Sequence, residues 1–272
     1  MPVAWWQRVL GGGRSEAPGG RAGPVSAGIT VLHEAGVPLA GLVSLGVTRS
    51  GLEVFGLPAS AQDLVPVWHQ LRALHERSGL WPVLLGPDVG DMCMGLPEAM
   101  DDYDDAAVLG VATAMTDADL AELRAHWLAQ SASDTDGPEF GELPRQVRAT
   151  PAHFEVAEQD GLVALVPAVA GWQVPAILGW SGGVNYEMEP AEHAANLRDW
   201  SDRFGAELVS LTGGDQVLEL LVTRPPREPA EALAAAWEQY AYCSDSVDQG
   251  VGSVTALAET QTGSHSWHFW WD

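Results

Sequence analysis

The sequence predicts an α+β protein. Its C-terminal part is expected to form a ferredoxin-like (split β-α-β) sheet with helices on one face, preceded by a smaller α/β N-terminal region. Three observations lead there. Short apolar runs with period-two alternation, such as Val43, Leu45 and Val47, recur along the chain. Between them lie amphipathic stripes opened by proline and closed by glycine, as from Pro190 to Gly205. In the last third the segments follow in the order strand, helix, strand, strand, helix, short helix, strand.

The elements follow in order. Residues 1–27 are expected as a disordered tail, because GGGRSEAPGGRAGP from Gly11 to Pro24 buries too little apolar surface to offset its ordering entropy. An N-terminal α/β region then spans 28–150 and a C-terminal domain 151–272. Strands at about Gly41 to Thr48 and Leu52 to Leu57 flank Arg49-Ser50-Gly51, a hairpin turn. Ser60 to Gly79 is a helix with Leu64, Trp68 and Leu71 on one face, and Pro66 delays its start. Leu80 to Gly86, LWPVLLG, is a buried strand. Thr116 and Asp119 form a capping box for a helix with Leu120, Leu123 and Trp127 on its face. Gln130 to Thr150 is a linker.

In the C-terminal part, Asp160-Gly161 is expected to turn a hairpin between Phe154 to Val156 and Leu162 to Val166. Val174 to Trp180 is expected as a strand and Pro190 to Phe204 as a helix. Strands at Glu207 to Leu211 and Val217 to Val222 surround the turn Thr212-Gly213-Gly214-Asp215. A helix starts at Pro229 and a short one covers Val251 to Thr262. The last strand, His265 to Asp272, points Trp267, Phe269 and Trp271 one way and His268 and Trp270 the other. Apolar content on both sides predicts a covered, central strand.

Composition narrows the function classes. The net charge is −24, and all thirteen basic residues are arginines. Such a field repels phosphate backbones, so nucleic acid is excluded as a partner and a basic protein is the candidate. No apolar run reaches the ~20 residues of a membrane span, and the N-terminus lacks a secretory layout, which predicts a soluble, cytoplasmic protein without membrane partners. The two cysteines, Cys93 and Cys243, lie far apart and give no disulfide framework. No cofactor motif is present.

Several side chains could carry chemistry. The loop after the Pro229 helix holds Tyr242, Cys243, Asp245, Asp248 and Gln249. A nucleophilic cysteine needs a base, here His193, His265 or His268, and the neighbouring acids oppose it by raising the thiol pKa. The competing reading makes Cys243 a small buried residue beside helix caps. Trp180 to Asn185, WSGGVN, leaves an apolar segment through two glycines, which let a backbone approach a ligand; Trp180, Asn185, Tyr242 and Gln249 are the binding candidates. Asp101, Asp102, Asp104 and Asp105 could offer oxygen ligands to a divalent cation, against the simpler reading of a solvated acidic loop. The histidine spacings suit no zinc site.

Five segments together carry a resemblance. They are GLWPVLLG (Gly79 to Gly86), VPAILGWSGGVN (Val174 to Asn185), EHAANLRDWSDRFGAELVSLTG (Glu192 to Gly213), EQYAYCSDSVDQGVGSVTALA (Glu238 to Ala258) and the terminal WHFWWD. The chain resembles the bacterial family called domain of unknown function 4253, densely from Val174 to Asp272 and more thinly back to Ala61. The resemblance implies a shared C-terminal domain and brings no catalytic residue with it. The function expected is a binding or interaction module, with a basic partner as candidate. The alternative is a hydrolase using the Cys243–Asp248 loop with a C-terminal histidine such as His268.

Overall fold

Seven strands form one mixed sheet in the order β1-β2-β4-β3-β5-β6-β7. The computed structural model describes residues 24–86, 103–134, 152–180, 182–212 and 216–272. The expected tail up to residue 23, Cys93, Asp101, Asp102, most of the expected linker and Gly213 to Asp215 lie outside the described residues.

The strands are β1 (Val43–Val47), β2 (Glu53–Ala59), β3 (Leu80–Leu85), β4 (Gly161–Pro167), β5 (Ala206–Leu211), β6 (Val217–Val222) and β7 (Ser266–Trp270). The helices are α1 (Pro24–Glu34), α2 (Ala61–Ala73), α3 (His75–Ser78), α4 (Asp105–Ala114), α5 (Asp117–Asp134), α6 (Val174–Leu178), α7 (Pro190–Phe204), α8 (Pro229–Tyr242) and α9 (Val254–Gln261). A π-helical turn, Ser246–Val251, lies between α8 and α9. No helix among the described residues is long and apolar enough to cross a membrane.

All neighbouring strands pair antiparallel except β3 and β5, which run parallel. That junction joins β1-β2-β4-β3 to β5-β6-β7. Its register pairs are Leu84 with Ser210 and Leu85 with Leu211. Trp81 reinforces it with an Nε1–H bond to the Leu208 carbonyl at 3.0 Å. Central β3 is buried at every residue, which explains its unbroken apolar run.

Helices cover both faces, where one was expected. On one face, side chains of α6, α7 and α8 pack on Trp81, Val83, Leu208, Leu220, Trp267 and Phe269. On the other, Leu32 of α1 and Leu64, Trp68 and Leu71 of α2 pack on Leu84, Val163 and Leu165. Alternation along each strand sends successive residues to opposite layers.

Other expectations are corrected locally. Val174 to Leu178 is helical, not a strand. An apolar run without clear period fits a short buried helix as well as a strand, Pro175 is tolerated in a first turn, and Gly179 at φ 63° ends it. The strand preceding α7 is therefore β4, whose neighbours are β2 and β3, so the expected split β-α-β order does not carry over. Phe154 to Val156 does not form a hairpin: Glu155–Glu158 is a 3₁₀ turn, capped by the Glu219 carboxylate through the Glu155 N–H at 2.6 Å. Gly161 lies in the strand instead, where a Cβ would stand 2.6 Å from the Leu85 carbonyl oxygen. Pro66 does not delay α2, which starts at Ala61. α1 goes unsignalled except by Pro24 at its start. Strand β7 is an edge, not a centre, and His268 and Trp270 are half-buried.

Candidate functional site

Four segments converge where the sheet meets α7 and α8: the turn from Trp180, His193 on α7, the loop after α8 and the end of β7. Pro190 starts α7 and sets His193, Leu197, Trp200 and Phe204 on its inner stripe. His193 is wholly buried. Its Nε2 lies 2.6 Å from the Gly182 carbonyl oxygen, and its Nδ1 lies 2.6 Å from the Tyr242 hydroxyl. A carbonyl only accepts, so Nε2 donates to it and Nδ1 accepts from Tyr242. Burial lowers the imidazole pKa to about 4, which keeps the ring neutral, and burial raises the Tyr242 phenol well above its ordinary value. The rings of Trp180, Tyr242 and Trp271 surround it with centroids 4.7, 5.5 and 5.6 Å away.

The two glycines of WSGGVN serve this packing. A Cβ on Gly182 would lie 2.1 Å from the Trp180 ring, and Gly183 holds φ 69° while donating to Gln216 Oε1 at 2.9 Å. Backbone comes close to the indole here, and Trp180, 1% exposed, donates to the Thr212 carbonyl at 3.0 Å.

Cys243 ends α8 and is 1% exposed. Its thiol donates to the Trp270 carbonyl at 2.9 Å, so the contact with Ser246 at 3.2 Å is donated by the hydroxyl. Burial pushes the thiol pKa up to about 12. No imidazole is among its hydrogen-bond partners. His193 is engaged by Gly182 and Tyr242, His265 Nδ1 bonds the Val222 carbonyl at 2.7 Å, and His268 Nδ1 lies 3.4 Å from Glu219.

The acids of the loop are engaged too. Asp245, 4% exposed, accepts from the Tyr186 hydroxyl at 2.7 Å, the Asp272 N–H at 3.0 Å and the exposed Gln249 amide at 3.0 Å. Asp248 is exposed and accepts from Tyr240 at 3.3 Å; partial burial raises its carboxyl pKa. Asn185 donates to the Asp272 carbonyl at 3.3 Å. The structure thus brings together Trp180, Tyr242, Cys243, Asp245, Gln249 and Asn185, directly or through the end of β7. His268 stands apart on the opposite sheet face with Glu219.

The acidic candidates divide. Asp104 caps α4 through the Ala107 N–H at 3.0 Å. Asp105, 2% exposed, takes the Thr48 hydroxyl at 2.9 Å, the Ser50 N–H at 2.9 Å and the Ser50 hydroxyl at 2.5 Å, latching α4 to the β1–β2 turn. Among the described residues, no three His, Cys, Asp or Glu side chains gather as a metal-holding group. Sequence reasoning passed over Glu219, 1% exposed, although a lone charge in VLELLV was a signal. Its carboxylate receives the Ser210 hydroxyl at 2.7 Å besides the Glu155 N–H and His268.

Among the described residues, hollows lie beside this cluster and farther along the sheet. One of about 20 Å³, beside Tyr186, Tyr242 and Trp271, has room for a single water. One of about 320 Å³ lies between α9, the π-turn and the outward face of β7. One of about 610 Å³ has Leu52, Leu109 and Ile177 in its walls, with His75 and Glu76.

Fold and hub together define a mixed α/β protein whose C-terminal strand is locked by an aromatic, hydrogen-bonded cluster. Residues 162–272 match the model of "Domain of unknown function (DUF4253)", the family the sequence resembles. The whole cluster from Trp180 to Asp272 falls inside the match. No curated protein and no solved structure matches the chain.

Proposed function

We propose that this chain is a non-catalytic binding module whose partner is cationic. The observation that carries the reading is the placement of the arginines. Arg72 pairs with Glu207, and Arg124 and Arg203 both pair with Asp199 and Glu238. Arg198 donates to the carbonyls of Ala112, Thr113 and Met115, and Arg224 to those of Ser201 and Asp202. Five of the eight described arginines are thus engaged by acceptors of the chain, with Arg49, Arg77 and Arg227 exposed, while Asp63, Glu76, Asp117, Glu122 and Glu231 stand exposed as well. With a net charge of −24, the outward field attracts cations and steers their approach.

A hydrolase built on Cys243 has less support. Its thiol is sealed, protonated near neutral pH and served by no imidazole.

The test is titration with a lysine-rich peptide at low and at physiological salt. Binding that weakens steeply as salt rises is expected, because screening shortens the reach of the field to about 8 Å. Absence of binding at low salt would overturn the proposal, as would binding indifferent to salt. Ester or amide turnover that disappears in Cys243→Ala would favour the hydrolase.

A further inference from the structure

The hollow walled by Leu52, Leu109 and Ile177 has the size and chemistry of a binding site. Its volume, about 610 Å³, lies inside the ~300–1,000 Å³ range of small-molecule sites. Separate stretches of the chain build it. Leu52 precedes β2, Leu109 lies on α4, Ile177 on α6, and Pro167 to Val169 come from the end of β4 and the turn beyond it. Polar side chains enter at few points: His75 and Glu76 on α3, and Gln173 just before α6.

The rim is held in place by those polar side chains. His75 donates its Nε2–H to the Ala168 carbonyl at 2.8 Å, and Gln173 Oε1 accepts the Val169 N–H at 2.7 Å. The Ala168 N–H reaches the Gly79 carbonyl at 3.3 Å. Backbone fixed in this way still presents Val169 to solvent at 83% exposure, the most open large apolar side chain among the described residues. An apolar side chain held in water beside apolar walls gains when a ligand covers it, and a rim already ordered loses little on binding.

The charge of the lining selects the ligand. Glu76 is exposed, and among the described residues it has no hydrogen bond or ion pair. No arginine lines the hollow, and Arg72, one turn before Glu76, is held by Glu207 at 3.0 Å. With its Nε2–H given to Ala168, His75 has an acceptor at Nδ1 in that tautomer. Gln173 adds the hydrogens of its amide. An anion would meet the Glu76 carboxylate there with no guanidinium to offset it.

We propose that this hollow binds a small organic cation, a primary amine on an aryl or alkyl body, with the ammonium against Glu76 and the body against Leu52, Leu109, Ile177 and Val169. Glu76 is exposed, so its pairing sets the preference for a cation, and the apolar walls supply most of the affinity. The site goes beyond the cationic partner drawn by the outer field, and neither binding needs the other.

The test is calorimetric titration of the full chain at physiological salt with phenethylamine and hexylamine. The neutral 2-phenylethanol, the anionic phenylacetate and methylamine, a cation without a body, are the comparisons. Saturable binding of the two amines is expected. The alcohol should bind about threefold to fivefold more weakly than phenethylamine, phenylacetate more weakly still, and methylamine not at all. Glu76→Gln should erase the preference for phenethylamine over the alcohol. Val169→Asn should weaken both about threefold or more. Both side chains are exposed, so Tm should hold in each variant, which separates a binding role from a structural one. The proposal is overturned if neither amine binds at tens of millimolar, or if phenylacetate or methylamine binds as well as phenethylamine. A preference that survives Glu76→Gln, or binding indifferent to Val169→Asn, would overturn it equally. None of these results bears on the lysine-rich peptide, whose binding is read at low salt and does not use the hollow.

Discussion

Acidification should loosen this protein through one residue, His193. In the unfolded chain its imidazole takes a proton below about pH 6.5; in the folded chain burial delays protonation until about pH 4. Below pH 6.5 the unfolded state therefore binds more protons, and stability falls as pH falls. The loss begins near pH 6.5 and is complete near pH 4; above that window His193 contributes no pH dependence. At about 1.4 kcal/mol for each pKa unit, the whole window is worth about 3 kcal/mol, of which about 2 kcal/mol is lost between about pH 7 and pH 5. The comparison is urea denaturation of the natural chain and His193→Gln at both pH values. Glutamine does not titrate and keeps an amide to donate towards Gly182. Carboxylates titrate in both proteins and cancel. The natural chain should lose about 2 kcal/mol more than the variant over that interval. Parallel stability curves, or a His193 imidazole resonance that titrates near pH 6.5 in the folded protein, would refute the reasoning.

Two further perturbations probe the polar contacts. Cys243 should resist thiol reagents in the native state and react only on unfolding, with Cys93→Ser as background; Cys243→Ala should cost about 2 kcal/mol for the lost hydrogen bond to Trp270 and the small void, and Cys243→Ser less. Rapid native labelling near neutral pH would contradict the buried, hydrogen-bonded thiol. Asp105→Ala should cost about 2–3 kcal/mol by leaving the donors of Thr48 and Ser50 unmatched, with amide exchange rising in β1 and β2 before β5 to β7. Uniform exchange across the sheet would show that Asp105 does not act as a local latch.

What the sequence made legible follows from what kind of information each element uses. The β1–β2 hairpin, β3, α7 and α8 are specified by local punctuation: Arg49-Ser50-Gly51, an unbroken apolar run, Pro190 with Gly205, and Pro229. Thr116 and Asp119 exchange both bonds of a capping box, at 2.8 and 3.2 Å. Where the cue is not local, the reading fails. VPAILGW contains the same apolar residues whether it is a strand or a buried helix, and only the layer it packs into decides. The Asp160-Gly161 pair suits a turn, but Gly161 is required by the Leu85 carbonyl, which is distant in sequence. The edge position of β7 depends on strand order, which its composition does not encode. The candidate site was legible as a set of residues, since Trp180, Tyr242, Cys243 and Asp245 do meet. The burial of Cys243 was legible in the reading that made it a small buried residue beside helix caps; that of Asp245 was not, because polar letters in a loop normally signify solvent.

That mismatch has one physical source. An edge strand ends with backbone groups that no further strand satisfies, and an aromatic edge with open groups invites pairing between chains. Here side chains take the place of a neighbour. Ser264 donates to the Ser266 carbonyl, Cys243 to the Trp270 carbonyl, and the Asp245 carboxylate accepts the Asp272 N–H. Each comes from the segment linking α8 to β7, so that segment must be polar and yet lie against the sheet. Trp267, Phe269 and Trp271 hold the strand from below, and the loop closes its free side. The residues that look most like a catalytic loop, a thiol among carboxylates, are the ones a covered β-edge needs: a weak donor small enough to bury and an acceptor for a terminal N–H.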